Sequence, residues 1–299
     1  LSSIIFERYR TTYFYSILVT LPDGVGVNLT YNAQTLLESV EGVIENLDYN
    51  ARNQITSKEL SNGVVTNYTY DTEKLLLDRI YTPGLQDLNY EFDNVGNILE
   101  IEDDVLDSLK TYGYDDLDRL ISADMAVNSV PAYQRDFTYD QYGCVQQVDE
   151  NNVTISLYGY NMTPFHAPLS YNGNDLDYDA NGNLIEDEDF TYTYNDANQL
   201  SEVRYVGNDS LVVRYWYDAN GQRMKKQNAA GEFTYYINKF YEVDNGTATS
   251  YFFRNDERVA KETADGMEWY LSDHLCSATL LINVNSYQFK MKTRNTNHK

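Results

Sequence analysis

Tyr178-Asp179-Ala180-Asn181-Gly182-Asn183-Leu184 is the stretch on which the fold is decided. Asp, Asn and Gly side by side make a tight turn, because Gly supplies positive φ and Asx side chains bond their own backbone. Just beyond it, Phe190-Thr191-Tyr192-Thr193-Tyr194 alternates aromatic and polar residues, the period-2 signature of a strand with one buried face. The unit is a strand, a turn and a returning strand. Tyr217-Asp218-Ala219-Asn220-Gly221-Gln222-Arg223 and Phe92-Asp93-Asn94-Val95-Gly96-Asn97-Ile98 repeat it closely.

Looser copies carry the same aromatic-Asx pair at Tyr31-Asn32, Tyr49-Asn50, Tyr70-Asp71, Tyr114-Asp115, Tyr139-Asp140, Tyr160-Asn161 and Tyr194-Asn195, with neighbouring starts 16 to 25 residues apart. A strand of about six residues runs about 20 Å, and one such hairpin is marginal alone. Stacked copies can pair edge to edge and bury their aromatic faces together. The expected fold is all-β, one quasi-continuous antiparallel architecture of stacked hairpins. Helical signals are scarce: Val43 to Leu47 and Asn53 to Leu60 are read as a helical turn or so. Asp103 to Lys110 is read as a loop between hairpins, and Ser122 to Ala132 as another, closed by Pro131.

Composition excludes several function classes. Lys and Arg number 22 against 46 Asp and Glu, a net charge of −24, whereas nucleic-acid binders need a basic surface and anionic membranes recruit clustered Lys and Arg. So acidic a chain invites a disordered reading, but 29 Tyr and 11 Phe contradict it, since disordered segments are poor in aromatics. Tyr13 to Leu21 is apolar but short, contains Ser16 and Thr20, and is read as an extended strand in preference to a signal peptide. No run reaches the roughly 18 apolar residues of a membrane helix. Cys144 and Cys276 lie far apart without CxxC partners and fit neither a disulfide framework nor a zinc site. The first residue is Leu1, which suggests a fragment or an unusual start.

Taken together, the Tyr-Asp-x-x-Gly-Asn-Leu pattern resembles the YD repeats of the Rhs and teneurin-like YD-shell family. Trp269-Tyr270-Leu271-Ser272-Asp273-His274-Leu275-Cys276-Ser277-Ala278-Thr279 is similar to that family's Tyr-x-x-Asp-His-Leu-Gly-Ser segment. The resemblance implies a spiralling β-sheet forming part of a hollow shell. Bacterial members enclose a C-terminal toxin in such a shell; teneurins present an adhesive extracellular surface. The expected division is residues 1–24 as an N-terminal strand or partial repeat, 25–282 as the YD-repeat shell segment, and 283–299 as a disordered, polar, basic tail of the kind a frameshift leaves. Cys276 replaces the family's usual Gly, so a turn that wants positive φ is expected to be strained. The chain contains no Asp-Pro, so neither the family's self-cleaving region nor the toxin is expected within it.

Candidate chemistry is thin. Asp177-x-Asp179-x-Asn181-Gly182 followed by Glu188 matches a calcium-loop pattern, but that pattern demands flanking helices and these flanks read as strand and turn. Weak calcium binding by Glu186, Asp187, Glu188 and Asp189 stays open. His166, His274 and His298 are the only histidines; Asp273-His274 could hold a base, yet no Gly-x-Ser-x-Gly elbow exists to serve it. Asn-x-Ser/Thr sequons at Asn28, Asn67, Asn152, Asn161, Asn208 and Asn245 follow from composition. The residues singled out are structural: Tyr70, Asp71, Phe92, Asp93, Gly96, Tyr114, Asp115, Tyr139, Asp140, Gly143, Tyr178, Asp179, Gly182, Tyr194, Tyr217, Asp218 and Gly221 from the repeat, with Asp273 and His274 from the resemblance. The leading expectation is a non-enzymatic, cofactor-free shell segment of a secreted or surface-exposed bacterial protein. Its expected partners are an enclosed toxin and other parts of a larger shell, with no nucleic acid and no membrane span. Two readings stay open beside it, a module binding glycans or a partner protein, and a hydrolase using His274.

Overall fold

A computed structural model describes residues 6–11, 14–22, 24–160 and 167–283. The described residues form 29 strands and no helix, and each strand pairs antiparallel with a neighbour in sequence. The expected tail, apart from Asn283, together with His166, His298 and the Asn161 sequon, lies outside the described residues. The chain divides into two compact units, one built from Leu1–Tyr90, Asp103–Val105 and Tyr236–Lys299, the other from Glu91–Glu102 and Leu106–Tyr235.

In the first unit, hairpins from both ends of the chain share one core. Phe6–Thr11 pairs with Phe14–Thr20, which pairs with Gly26–Tyr31. Ile44–Tyr49 and Ile55–Leu60 continue the series and are strands, which corrects the helical reading of Val43 to Leu47 and Asn53 to Leu60. Both segments are too short to sustain a 3.6 period, and their ladder to neighbouring strands decides the matter. Leu21, Val27, Leu37, Val40, Val43, Ile44, Leu47 and Leu60 pack with Phe252, Val259, Ala260, Trp269, Leu271, Leu280 and Ile282 from the C-terminal strands. Val43 and Val259 retain no exposed surface, and burying a side chain of that kind stabilises by about 1.5–3 kcal/mol.

The second unit is thinner. Its buried hydrophobic residues are Ala123, Cys144 and Val203, and most of its strand side chains are half-exposed. Across Ser108–Tyr114, Leu120–Val127, Val130–Tyr139 and Val145–Glu150, the register places Tyr112, Met125, Tyr133, Phe137 and Val148 on one face. Thr111, Asp124, Gln134, Asp136, Thr138, Gln147 and Asp149 occupy the other. The alternation read from Phe190 to Tyr194 therefore extends to earlier strands, with one face carrying the aromatic residues together with Lys110, Arg135 and Glu150, and the other mostly polar and acidic.

One loop expectation is overturned here and another is corrected in part. Ser122 to Ala132 is a hairpin: Val127 faces Val130 across the two-residue turn Asn128-Ser129, with φ of 49° and 61°. That is the pattern of a type I′ turn, whose twist suits a hairpin. Pro131 lies near the start of its strand beside a register shift between Met125 and Ala126, a position where a missing N–H is tolerated. Asp103 to Lys110 is only partly a loop, since Ser108 to Lys110 begin a strand.

Candidate functional site

The repeated turn is the element that recurs throughout, and its geometry follows from four residues. In the copy at Asp179, the Asp179 N–H donates to the Asn183 carbonyl at 2.9 Å and the Gly182 N–H to the Asp179 carbonyl at 3.0 Å. Asp179 Oδ1 accepts from the N–H groups of Asn181 and Asn183, both at 2.9 Å, and Oδ2 accepts from Asn183 Nδ2 at 2.8 Å. The loop closes only if the third residue after Asp has positive φ, and Gly182 lies at 85°, where a Cβ is costly.

Asp93, Asp115, Asp140 and Asp218 repeat the arrangement. Gly96, Gly143 and Gly221 hold the positive-φ position in three of these, and Asp118 holds it in the fourth. Asn32, Asn50 and Asn195 do the same with an amide oxygen. Asp71 opens a turn one residue longer, closing on Leu76 with Leu75 at φ 63°. Asp273 opens another copy: its N–H meets the Ser277 carbonyl at 3.0 Å, its Oδ1 accepts from Leu275 and Ser277, and Cys276 stands at φ 60°.

Sequence reasoning missed the copy at Asn228, where the amide oxygen accepts from Ala230 and Glu232 and Gly231 has φ 85°. No aromatic residue precedes it, and the Asn228-to-Gly231 spacing alone was the available signal.

Two sets of rungs tie one turn to the next. In seven of the turns the tyrosine before the Asx reaches back to an upstream backbone carbonyl, in six of them at the exit of the preceding turn. Tyr49 donates to Leu37, Tyr70 to Ile55, Tyr114 to Ile98, Tyr139 to Leu120, Tyr194 to Leu184 and Tyr217 to Leu200, at 2.6–3.0 Å. Tyr178 donates to Pro168 at 2.8 Å. Phe92 occupies the same place without a hydroxyl to give. Burial pushes the Tyr70, Tyr114, Tyr178, Tyr194 and Tyr217 hydroxyls above their ordinary pKa, so they remain donors at neutral pH. The second set is amide-borne: Asn97 Nδ2 donates to Asp118, Asn183 Nδ2 to Asn198 Oδ1, Gln54 Nε2 to the Leu75 carbonyl and Gln199 Nε2 to the Gly221 carbonyl.

The turn donors also act on the carboxylates. The Asn183 amide and the backbone N–H groups hold Asp179 below the usual carboxylate range. The Arg119 guanidinium, with its own N–H, does so for Asp115. The calcium-loop match is spent in the same way: Asp179 serves its own turn, Asn181 Nδ2 donates to Asn198, and Glu188 accepts from Asn174. Among the described residues no three His, Cys, Asp or Glu side chains converge as metal ligands. His274 packs edge-on to Tyr90, with centroids 5.0 Å apart, while its neighbour Asp273 is engaged in the turn. Neither cysteine is in a disulfide; Cys144 is buried and Cys276 exposed. The arrangement is suited to holding strands in step.

Comparison with known proteins matches this architecture. The chain is 29% identical over 233 residues to the toxin subunit YenC1 of Yersinia entomophaga, covering 58% of this chain and 23% of that protein. It is 27% identical over 146 residues to the tRNA3(Ser)-specific nuclease WapA of Bacillus spizizenii, covering 45% of this chain and 6% of the relative. Among solved structures, the Photorhabdus luminescens Tc holotoxin pore superposes with a TM-score of 0.72 at 19% identity, over 90% of this chain and 17% of that one. The TcdB2-TccC3 crystal structure gives 0.70 at 20% identity, over 90% of this chain and 18% of that one. The chain thus spans less than a quarter of the length of these relatives. The Teneurin YD-shell family model matches residues 105–257, half of the sequence, and the chain belongs to that family.

Proposed function

We propose that this chain is a wall segment of a protein shell that encloses a toxin polypeptide, and that the parent protein is secreted or displayed at a bacterial surface. The observation that carries this reading is the ladder of turns. Most of the described repeats spend a tyrosine hydroxyl and an Asx carboxylate or amide on backbone groups of their own or the preceding repeat, which extends a sheet. The match to the family over residues 105–257 and the fold shared with Tc toxin structures support it. The nuclease activity named for the WapA relatives would then belong to a part of such proteins other than this wall. Residues 25–282 are proposed to act as the shell segment, with the motif residues from Tyr70 to Gly221 and Asp273-His274 as its structural pins.

The test is protease protection in the full reading frame that contains this sequence. A polypeptide encoded beyond the wall should resist trypsin while the protein is native and be cut once urea opens it. Equal cleavage in both states would refute enclosure. Immunodetection on intact cells and in the medium tests the surface assignment, and signal confined to the cytoplasm would reject it.

A further inference from the structure

Five Asn-Gly pairs occur in the chain, at Asn62, Asn172, Asn181, Asn220 and Asn245. Asn followed by Gly readily loses its side-chain amide, because no Cβ shields the following backbone nitrogen from the carboxamide. The reaction uses that nitrogen as its nucleophile, so a Gly N–H already given to a carbonyl is held in its protonated form. The fold sorts the five pairs on this ground. Gly63 donates to the Leu60 carbonyl at 2.8 Å, Gly182 to the Asp179 carbonyl at 3.0 Å and Gly221 to the Asp218 carbonyl at 3.1 Å. The repeated turn thus protects Asn181 and Asn220.

Asn172-Gly173 and Asn245-Gly246 are different. Each is the two-residue tip of a hairpin, between Tyr171 and Asn174 and between Asp244 and Thr247. Their φ values are 50° and 86° in the first and 46° and 84° in the second, the type I′ pattern. Among the described residues no backbone carbonyl accepts from the Gly173 or Gly246 N–H. Asn172 is pinned even so: its Oδ1 accepts from the Leu157 N–H at 2.7 Å and its Nδ2 donates to the Ile155 carbonyl at 3.3 Å. Asn245 stands within five consecutive exposed residues, 244–248. Chain neighbours aside, no heavy atom lies within 4 Å of where a Cβ on Gly246 would stand, so a ring has room to close there.

We propose that Asn245 is a site of spontaneous covalent modification, converted by water to aspartate and isoaspartate. The Gly246 nitrogen gives its proton to hydroxide and attacks Asn245 Cγ. The N–Cγ bond forms, the Cγ–Nδ2 bond breaks, and ammonia leaves with a proton from solvent. Water then opens the cyclic imide at either carbonyl. Opening at the backbone carbonyl routes the chain through the side-chain carbon and adds one methylene to a two-residue turn. Either product adds a carboxylate beside Asp244 in a chain whose net charge is already −24. The strand that follows, Thr247–Arg254, carries Phe252 of the first unit's core, so the change is made at one end of a core strand.

The experiment incubates the full chain at mildly alkaline pH and digests aliquots over time. Mass spectrometry reads the gain of one mass unit at each Asn-Gly pair, and an isoaspartyl methyltransferase labels the isoaspartate. Asn245 should be modified first, about tenfold faster than Asn62, Asn181 and Asn220, the factor for releasing one hydrogen bond before attack. In urea, where the turns are gone, the five pairs should react at similar rates. Asn245→Gln, whose longer side chain closes its ring far more slowly, should remove most of the native chain's early isoaspartate label. Equal native rates at all five pairs, or a lead for Asn181 or Asn220, would overturn the assignment. So would an Asn245 lead that persists unchanged in urea, or a label undiminished in the Asn245→Gln variant.

Discussion

Cys276 shows how far one residue can depart from the repeat and still be held by it. It stands at φ 60° in the position that Gly96, Gly143, Gly182 and Gly221 fill elsewhere, and a side chain there costs on the order of 1 kcal/mol or more. The thiol is exposed, so little packing is lost by removing it. Glycine's larger entropy in the unfolded chain offsets part of the gain. Cys276→Gly should therefore stabilise by about 0.5–1 kcal/mol, read as a higher urea midpoint; a lower one would mean that the thiol packs more productively than its exposure implies. Tyr217 tests the rung. Its hydroxyl donates to the Leu200 carbonyl at 2.6 Å, and Tyr217→Phe keeps the ring while orphaning that acceptor. The expected cost is about 1 kcal/mol, a drop of a few degrees in melting temperature. No drop would show that the ring alone holds the register.

At the scale of the turn, carboxylates such as Asp71, Asp93, Asp115 and Asp179 titrate below their ordinary range. At Asp71 the backbone N–H groups of Lys74 and Glu73 are responsible; at Asp93 the Asn97 amide and three backbone N–H groups outweigh a larger desolvation effect. A carboxylate with a depressed folded pKa contributes stability that is complete above its unfolded value, about 3.9, and is lost as pH falls through the folded value. The urea midpoint should thus be flat from neutral pH to about pH 5 and fall below about pH 4. Replacing these four by Asn keeps the acceptor oxygen, as Asn50 and Asn195 do naturally, and should flatten the acid limb; an unchanged limb would place the sensitivity elsewhere. The same turns explain what could be read in advance. Tyr-Asp-x-x-Gly is legible because its demand is local: an Asx oxygen for the N–H groups and a residue free to adopt positive φ. The Asn128-Ser129 hairpin was not legible, because neither residue is Gly and Pro131 follows. Its strands are fixed by pairing to Ser108–Tyr114 and Val145–Glu150, which no local pattern announces. The rungs from tyrosine hydroxyls to carbonyls were equally hidden, since a period-2 pattern gives the face of a side chain and not its partner.

Across the first unit, distant parts of the chain are joined by a few buried polar contacts within an apolar core. Trp269 Nε1 donates to the Val43 carbonyl at 3.1 Å across 226 residues of sequence, and Gln86 Nε2 reaches the Ser272 carbonyl and Thr279 Oγ1. A further constraint is ionic. Lys58 is 1% exposed, its Nζ lies 3.4 Å from Glu257 Oε1, and Arg254 Nε donates to Glu257 Oε2 at 2.7 Å. Burial works against Lys58's charge, yet Tyr68 and Glu257 prevail and hold its pKa above the ordinary value. Burial likewise opposes the Glu257 carboxylate, and the two cations hold it low. One carboxylate thus balances two cations, and the two kinds of deletion are unequal. Glu257→Ala leaves Lys58 buried without its anion and should cost about 3–5 kcal/mol. Lys58→Met leaves Glu257 paired with Arg254 and replaces a desolvated amine by an apolar chain of similar length, so its cost should be markedly smaller. Urea unfolding of the two variants side by side measures the asymmetry. Equal losses would mean that Lys58 relaxes to solvent when Glu257 is removed, and that the apolar strands alone join the two ends of the chain.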